Sequence, residues 1–351
     1  MRVAVIVVSW NTVELLGACL RAYDAQHHPD LEVVVIDNAS DDGSAELLDR
    51  ACSEDRRHAL RVVHAGSNRG FAGAVNDALR VVDAPVVVLS NVDVVPAPDL
   101  VSTALATLLA DDRRGTVAPK LLRTVRAPGG QDVIDSAGHE LTTARLVRNR
   151  GEGEIDQGDY DQPGPVFGAS GALVMHRRAM LEDIAWRDAA PGQILTEDLF
   201  AFFEDVELDW RARLLGWEAW YEPRAVARHQ RGGAGPRRTP QVEALNWANR
   251  LLVITTCDHR PALLRAAPLV LATTLLKSGE LVLTVPRAVP AGLGRLVRGL
   301  PAANRRRGEL LARATDTPAR VVRRWVVAFR AGRWVSGWWR RVTGRAVGVE
   351  R

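Results

Sequence analysis

The sequence predicts an α/β fold over residues 1–260 and a basic, mainly helical extension over 261–351. Three observations carry this. From residue 3 to residue 89, apolar runs of strand length alternate with stretches of helical periodicity. That is the pattern of a parallel sheet covered by helices. Each run ends in small polar or acidic residues, where open α/β sheets present ligands. Charge is also divided unevenly. Residues 287–351 hold 16 arginines and three acids, a net of +13 against +4 for the whole chain, so residues 1–286 carry −9.

Taken in order, Val3–Val8 reads as a strand buried on both faces, followed by a helix over Val13–Tyr23. Leu31–Ile36 is a second strand, and a helix starts near Ala45 behind Asp42 or Ser44 as its cap. Leu60–His64 is a third strand. Asn68–Gly73 is a turn-rich loop before a helix over Ala74–Arg80, and Val86–Leu89 is a fourth strand. Further on, 99–110 reads as a helix, 117–122 as a strand, 128–132 as a loop and 145–161 as a charged mobile loop. Val166–Met175 is a strand interrupted by small residues, Ala219–Tyr221 a short strand, and Asn246–Thr255 an apolar helix closing the body.

Between these lies the stretch around which the chain is organised. Phe200, Phe202 and Phe203 run into Glu204, Asp205, Glu207 and Asp209, with Leu208, Ala212 and Leu215 at helical spacing and Gly216 as the stop. Acids in a first helical turn suit the helix dipole, and a plain cap is one reading. A carboxylate against apolar rings also suits a general base. Glu207 is read as orienting Arg211, and Asp209 as a solvated helix face.

The 351 residues suffice for two domains. Three scattered cysteines, Cys19, Cys52 and Cys257, argue for a reducing compartment and against a disulfide framework or a cysteine zinc site. No signal peptide is read at the start. A membrane-spanning helix is not expected either, because the apolar run 266–276 is too short.

The strand ends suggest a nucleotide site. Asp37 can accept hydrogen bonds from a base or ribose. Gly70 and Gly73 allow close backbone approach, and Asn76 offers a side-chain contact. Asp93 is an oxygen ligand suited to Mg²⁺ or Mn²⁺. Each is also ordinary turn chemistry. There is no Gly-x-Gly-x-x-Gly after the first strand and no Walker loop, which weighs against a dehydrogenase or P-loop ATPase.

The order of four segments resembles family 2 inverting glycosyltransferases of the GT-A, Rossmann-like nucleotide-diphospho-sugar transferase fold. They are Val8-Ser9-Trp10-Asn11, the run from Ile36-Asp37-Asn38 to Ser44, Asn68 to Asn76, and Ser90-Asn91-Val92-Asp93. Phe203–Arg211 with Gly216-Trp217 resembles the same family's acidic motif, and the whole is similar to the bacterial rhamnosyltransferase branch. Many relatives carry Asp-x-Asp where this chain has Asn91-Val92-Asp93; the branch often has Asn-x-Asp.

The resemblance implies a nucleotide-sugar site at Ser9, Asn11, Asp37, Asn38, Asn68, Gly70, Phe71, Asn76, Asn91 and Asp93. It implies a base at Asp205 with Glu204 as its rival, and Mg²⁺ or Mn²⁺ at Asp93 and His229. It also implies a donor-sugar and acceptor pocket that includes Gly171 and Trp217, with the loop 145–161 over the donor. Arg228 and Arg231 stand beside His229 as cations for phosphate. The expected partners are a nucleotide-diphospho-sugar donor and a lipid-linked or other glycan acceptor.

In the extension, Pro286, Pro290 and Pro301 interrupt helix. Arg320–Arg341 then mixes arginine with Trp325, Phe329, Trp334, Trp338 and Trp339, the composition of an interfacial helix on an anionic membrane. Nucleic-acid binding and simple packing on the body are the rival readings, and no nucleic acid is expected. The sequence thus points to an inverting glycosyltransferase, with L-rhamnose from dTDP-L-rhamnose as first donor. It would sit on the cytoplasmic face of the plasma membrane and build cell-envelope glycan. UDP- or GDP-sugar donors, a non-catalytic scaffold and a nucleotidyltransferase are the alternatives.

Overall fold

The computed structural model describes residues 1–232, 238–332, 334–335 and 338–339. β1 (Val3–Ser9), α1 (Val13–Asp24), β2 (Leu31–Asp37), α2 (Ser44–Cys52), β3 (Ala59–His64), α3 (Gly70–Val81) and β4 (Val86–Asn91) alternate as predicted. β3, β2, β1 and β4 lie side by side and parallel. The chain leaves β1 on one side and returns on the other, so β1 and β4 flank a switch point where a crevice opens. Val3, Val5 and Val7 enter one core while Ala4 and Ile6 enter the other. An unbroken apolar run is what a strand buried on both faces requires.

Next come β5 (Val94–Pro96), α4 (Leu100–Leu109), β6 (Arg114–Arg123), β7 (Ile134–Ser136), β8 (His139–Thr142), β9 (Val147–Asn149), β10 (Gly164–Val166), β11 (Leu173–Arg177) and α5 (Arg178–Ile184). A 3-10 turn at Glu197–Leu199 precedes α6 (Glu204–Leu214) and β12 (Glu218–His229). The sheet continues beyond β4 as β11, β6, β12 and β10. β11 is antiparallel to both neighbours, and β12 is parallel to β6. This is the mixed α/β sheet of the GT-A fold, and a helical C-terminal region follows it.

Several boundaries differ from the sequence reading, each for a tertiary reason. The strand expected at 219–221 is twelve residues long, because its second half pairs with β6 and β5. The stretch 166–175 splits into β10 and β11, and residues 168–171 between them turn toward α6. The segment 145–161 is more than a loop. It holds β9, which pairs with β8, and exchanges backbone hydrogen bonds with residues 132–138.

α7 (Pro240–Cys257) starts six residues before the predicted helix. The Thr239 hydroxyl accepts from Val242 N at 3.2 Å, and Pro240 occupies the first turn. α8 (Arg260–Thr284), α9 (Ala288–Arg313), α10 (Pro318–Trp325) and β13 (Val326–Val327) complete the described elements. Pro301 does not end α9, which packs along α7. Gly292 and Gly299 make the approach possible: a Cβ would stand 3.0 Å from Trp247 at the first and 2.9 Å from Leu252 at the second.

Two expectations for the extension are corrected. α8 is, by length and composition, long and apolar enough to cross a membrane, with 25 residues. The apolar run 266–276 is only its middle. And 320–341 does not begin as a free interfacial helix. α10 stops at Trp325, whose ring packs edge-on against Phe167 and lies under the Arg213 guanidinium at 4.8 Å. β13 then pairs with β8. Gly233 and, of the Arg/Trp stretch, residues 333, 336–337 and 340–341 lie outside the described residues.

Candidate active site

The ends of β1 and β4, α3, the turn before α6 and the start of α7 enclose a cavity of about 1260 Å³. Of the predicted site residues, Asn38, Asn68, Gly70, Phe71, Asn91, Asp93, Gly171, Glu204, Asp205 and His229 line it.

The loop on the nucleotide side is fixed from within. Asn38 donates to Asn68 Oδ1 at 3.0 Å and to the Gly70 carbonyl at 3.2 Å, and accepts from Arg69 N at 3.0 Å. Gly70 has φ +69 and faces Phe200 so closely that a Cβ would overlap it.

Other predicted residues stand behind the wall. Ser9 is buried and hydrogen-bonded to Thr12, which does line the cavity. Asn11 accepts from Asp41 N at 2.9 Å and so ties two loops together. Buried Asp37 accepts from Ser40 N and lies 3.4 Å from His64. Asn76 is not brought to the cavity. It donates to Leu195 O and Glu197 and accepts from Ile194 N and Leu195 N, which spends its amide on the approach to α6. Trp217 also lies away from the cavity, its indole N–H donating to Asp183 at 2.8 Å.

At one end of the cavity His229 pairs with Val94 across β12 and β5, which brings it beside Asp93. Its Nε2 stands 3.3 Å from Asp93 Oδ1, and its Nδ1 lies 2.8 Å from Asp135 Oδ2. Burial works against charge on the imidazole, yet Asp135 and Asp93 outweigh it and lift its pKa to about 9. Arg231 and Arg123 approach the other Asp135 oxygen, and Arg231 also pairs with Glu152. Arg228 instead pairs with Asp132.

His229 Nε2 faces the Asp93 carboxylate at 3.3 Å and is oriented through Nδ1 by Asp135, a pair that fits a divalent cation, which would take the place of the proton on Nε2. Among the described residues no group of three His, Cys, Asp or Glu could hold a metal alone. Two protein ligands completed by phosphate oxygens is the arrangement such residues allow.

At the other end stand the acids of α6. Phe200, Phe202 and Phe203, just before it, have φ of 64, 68 and 70, positive values that bulky residues seldom adopt. Asn249 of α7 holds this turn by donating to the carbonyls of Leu199, Ala201 and Phe202. Asp205 accepts from Gly171 N at 2.9 Å. Glu204 is buried, and burial with the charges of Asp205 and Glu207 pushes its pKa well above the usual value. Burial thus favours the protonated form of the Glu204 carboxyl. Glu207 and Arg211 are both buried and 3.6 Å apart.

Asp209 is no solvated face. It is buried, accepts from His139 Nδ1 at 3.0 Å and from Ala169 N at 3.0 Å, and burial pushes its pKa up to about 6. Asp135 and His139 were missed by sequence reasoning. Neither sits in a spaced motif, and both act across more than 60 residues of chain.

With this geometry, comparison with known proteins is informative. The chain matches the family described as "Glycosyltransferase like family 2" over residues 1–245. It is 20% identical over 226 residues to the poly-beta-1,6-N-acetyl-D-glucosamine synthase of Staphylococcus epidermidis, covering 64% of this chain and 48% of that protein. It is 26% identical over 129 residues to the teichoic acid poly(glycerol phosphate) polymerase of the same species, covering 36% and 17%. The chain thus spans about half the length of the first of these curated relatives and less of the second.

Among solved structures, the mannosyltransferase PcManGT from Pyrobaculum calidifontis, in complex with GDP-Man and Mn²⁺, aligns with TM-score 0.53 at 22% identity, covering 100% of this chain and 88% of that one. S. aureus TarS 1–349 in complex with UDP aligns with TM-score 0.53 at 16% identity, covering 89% of each. At these identities the structural likeness speaks for the fold. The family match over most of the chain speaks for descent, and the chain belongs to glycosyltransferase family 2.

Proposed function

We propose that this chain is an inverting glycosyltransferase that moves a sugar from a nucleoside-diphosphate donor onto a lipid-linked or other cell-envelope glycan. The donor we assign first is dTDP-L-rhamnose, on the Asn91-Val92-Asp93 form of the metal motif. The observation that carries the reading is one cavity with Asp93 and His229 at one end and Asp205 at the other. A UDP- or GDP-sugar donor is the second reading, because solved relatives of this fold are described with UDP or GDP-Man.

In the reaction the acceptor oxygen bonds to the anomeric carbon as the bond from that carbon to the diphosphate breaks. Asp205 takes the acceptor's hydroxyl proton. Its carboxylate is aimed by the Gly171 N–H. Arg231 stands on the cavity wall as a cation for the diphosphate. Asp93 and His229 would hold Mg²⁺ or Mn²⁺, which when bound supplies positive charge to the departing diphosphate. Asn38, Asn68 and Asn91 offer polar contacts to the nucleotide.

We further propose that the extension rests on an anionic membrane at the cytoplasmic face, with α8 as the contact. One side of α8 is bound to α7 through Arg250 to Thr273 and Thr274, and through Trp247 to Ser278. The other exposes Leu264, Leu271, Leu275, Val282 and Leu283. A contiguous exposed apolar surface on a docked helix is one that a membrane would cover.

A thermal-shift panel with dTDP, UDP and GDP, with and without Mg²⁺ or Mn²⁺, tests the donor assignment. A metal-dependent rise with dTDP alone supports rhamnose. A rise with UDP or GDP alone moves the assignment to that donor. No rise in a folded sample removes the enzyme reading.

A further inference from the structure

α6 carries Asp205 and Asp209 one helical turn apart, on the same face. Two carboxylates so placed repel each other, and in a buried site the repulsion favours protonating one of them. A buried imidazole occupies the space between. His139 donates from Nδ1 to Asp209 Oδ2 at 3.0 Å, and its Nε2 stands 3.8 Å from Asp205 Oδ2. Among the described residues, no other basic side chain lies within 4.0 Å of Asp205.

The arrangement is built from its base upward. The His139 backbone N–H donates to the Gly168 carbonyl at 2.8 Å, which anchors the start of β8 against residues 168–171. That same segment donates one backbone N–H to each carboxylate, Ala169 to Asp209 and Gly171 to Asp205. Gly168 is required by Asp209, whose carboxylate fills the space a Cβ would need. The Asp209 bond fixes which imidazole nitrogen points at Asp205.

We propose that His139, held by Asp209, is a positioning residue that stays positively charged and keeps Asp205 a negative, correctly aimed proton acceptor. This rests on the reading of Asp205 as the base. His139 takes no proton in the step. The acceptor's proton ends on Asp205, and the positive charge beside it favours the state that precedes transfer.

The groups facing His139 agree with a retained proton. Asp205 and Asp209 lie on α6, and Glu152 adds a third negative charge from the segment after β9. Burial pulls the imidazolium down, and these three carboxylates outweigh it, so its pKa lies above the usual value. Arg213, one helical turn after Asp209, spends its guanidinium on the carbonyls of Val166, Phe167 and Trp217, and Arg211 spends its own on those of Ile184 and Ile194.

The test uses the full chain and donor hydrolysis, in which water replaces the acceptor, with whichever of dTDP-rhamnose, UDP-GlcNAc or GDP-mannose the protein binds. His139→Asn keeps an N–H for Asp209 and removes the charge facing Asp205. We expect the acid limb of its kcat profile to move up by about 1–3 pH units with the donor KM little changed. Reciprocally, in the spectra of ¹⁵N-histidine-labelled protein, Asp205→Asn lowers the midpoint of His139.

An acid limb left in place by His139→Asn, or an unmoved His139 midpoint in Asp205→Asn, overturns the proposal. Should His139→Asn not fold, the titration in Asp205→Asn decides alone. If Asp205→Asn hydrolyses donor as fast as the wild type, the reading of Asp205 as base has failed, and the proposal falls with it. If Asp205→Asn is inactive but the His139 midpoint stays, only the His139 role has failed.

Discussion

The Asp209 carboxylate occupies the space beside Gly168 that a side chain would otherwise fill, and it is pinned there by His139 and the Ala169 N–H. Gly168→Ala therefore has no tolerated geometry without moving a buried acid. We predict a loss of about 1–3 kcal/mol of stability, the usual range for overpacking. A lower denaturant midpoint, with an unchanged slope, is the expected reading. An unaltered midpoint would show that Asp209 yields freely.

The cation site rests on Asp93 and His229, with Asp135 orienting the imidazole. Chelation with EDTA should remove the part of nucleotide binding that Mn²⁺ supports. Asp93→Asn and His229→Gln should each make nucleotide binding indifferent to Mn²⁺, and Asp135→Asn should weaken the cation about 10–100-fold. Calorimetric titration of Mn²⁺ in the presence of nucleotide measures all three. Wild-type affinity in His229→Gln would exclude it as a ligand.

Asn249 supports three carbonyls of the turn that delivers the α6 acids, at 2.8, 3.0 and 2.8 Å. Asn249→Ala leaves them without that donor. We expect about 1–3 kcal/mol of destabilisation and earlier proteolysis within residues 199–203. Turnover should fall with it, because the turn sets the direction of Asp205. Full turnover in a folded Asn249→Ala protein would mean that the turn holds its strained φ values unaided.

The exposed side of α8 predicts membrane contact. Leu271→Glu with Leu275→Glu should abolish flotation with phosphatidylglycerol vesicles while leaving the nucleotide thermal shift intact. Both leucines are more than half exposed, at 59% and 61%, so folding should tolerate the change. Unchanged flotation would move the contact away from α8.

The parallel half of the sheet was legible because β1, β2 and β4 are buried on both faces and read as almost unbroken apolar runs. Asp93 and Asp205 could be singled out because they sit in local motifs, at a strand end and a helix start, and both line the cavity. Asp209 was misread because helical periodicity cannot see that His139, 70 residues earlier, covers it. Asn76 was misread for the same reason, its partners lying 118 to 121 residues on. Trp325 looked like an interfacial residue by composition, but its ring is taken up by Phe167 and Arg213. Local pattern fixes elements and their ends; which side chains meet depends on sheet order and loop closure.

The central claim is that Asp205 accepts the proton in sugar transfer. The most direct measurement is the turnover of Asp205→Asn beside its donor affinity, in the same folded preparation. The account predicts a kcat lower by about 10²–10⁴-fold with donor binding nearly unchanged. Wild-type turnover in Asp205→Asn would contradict it.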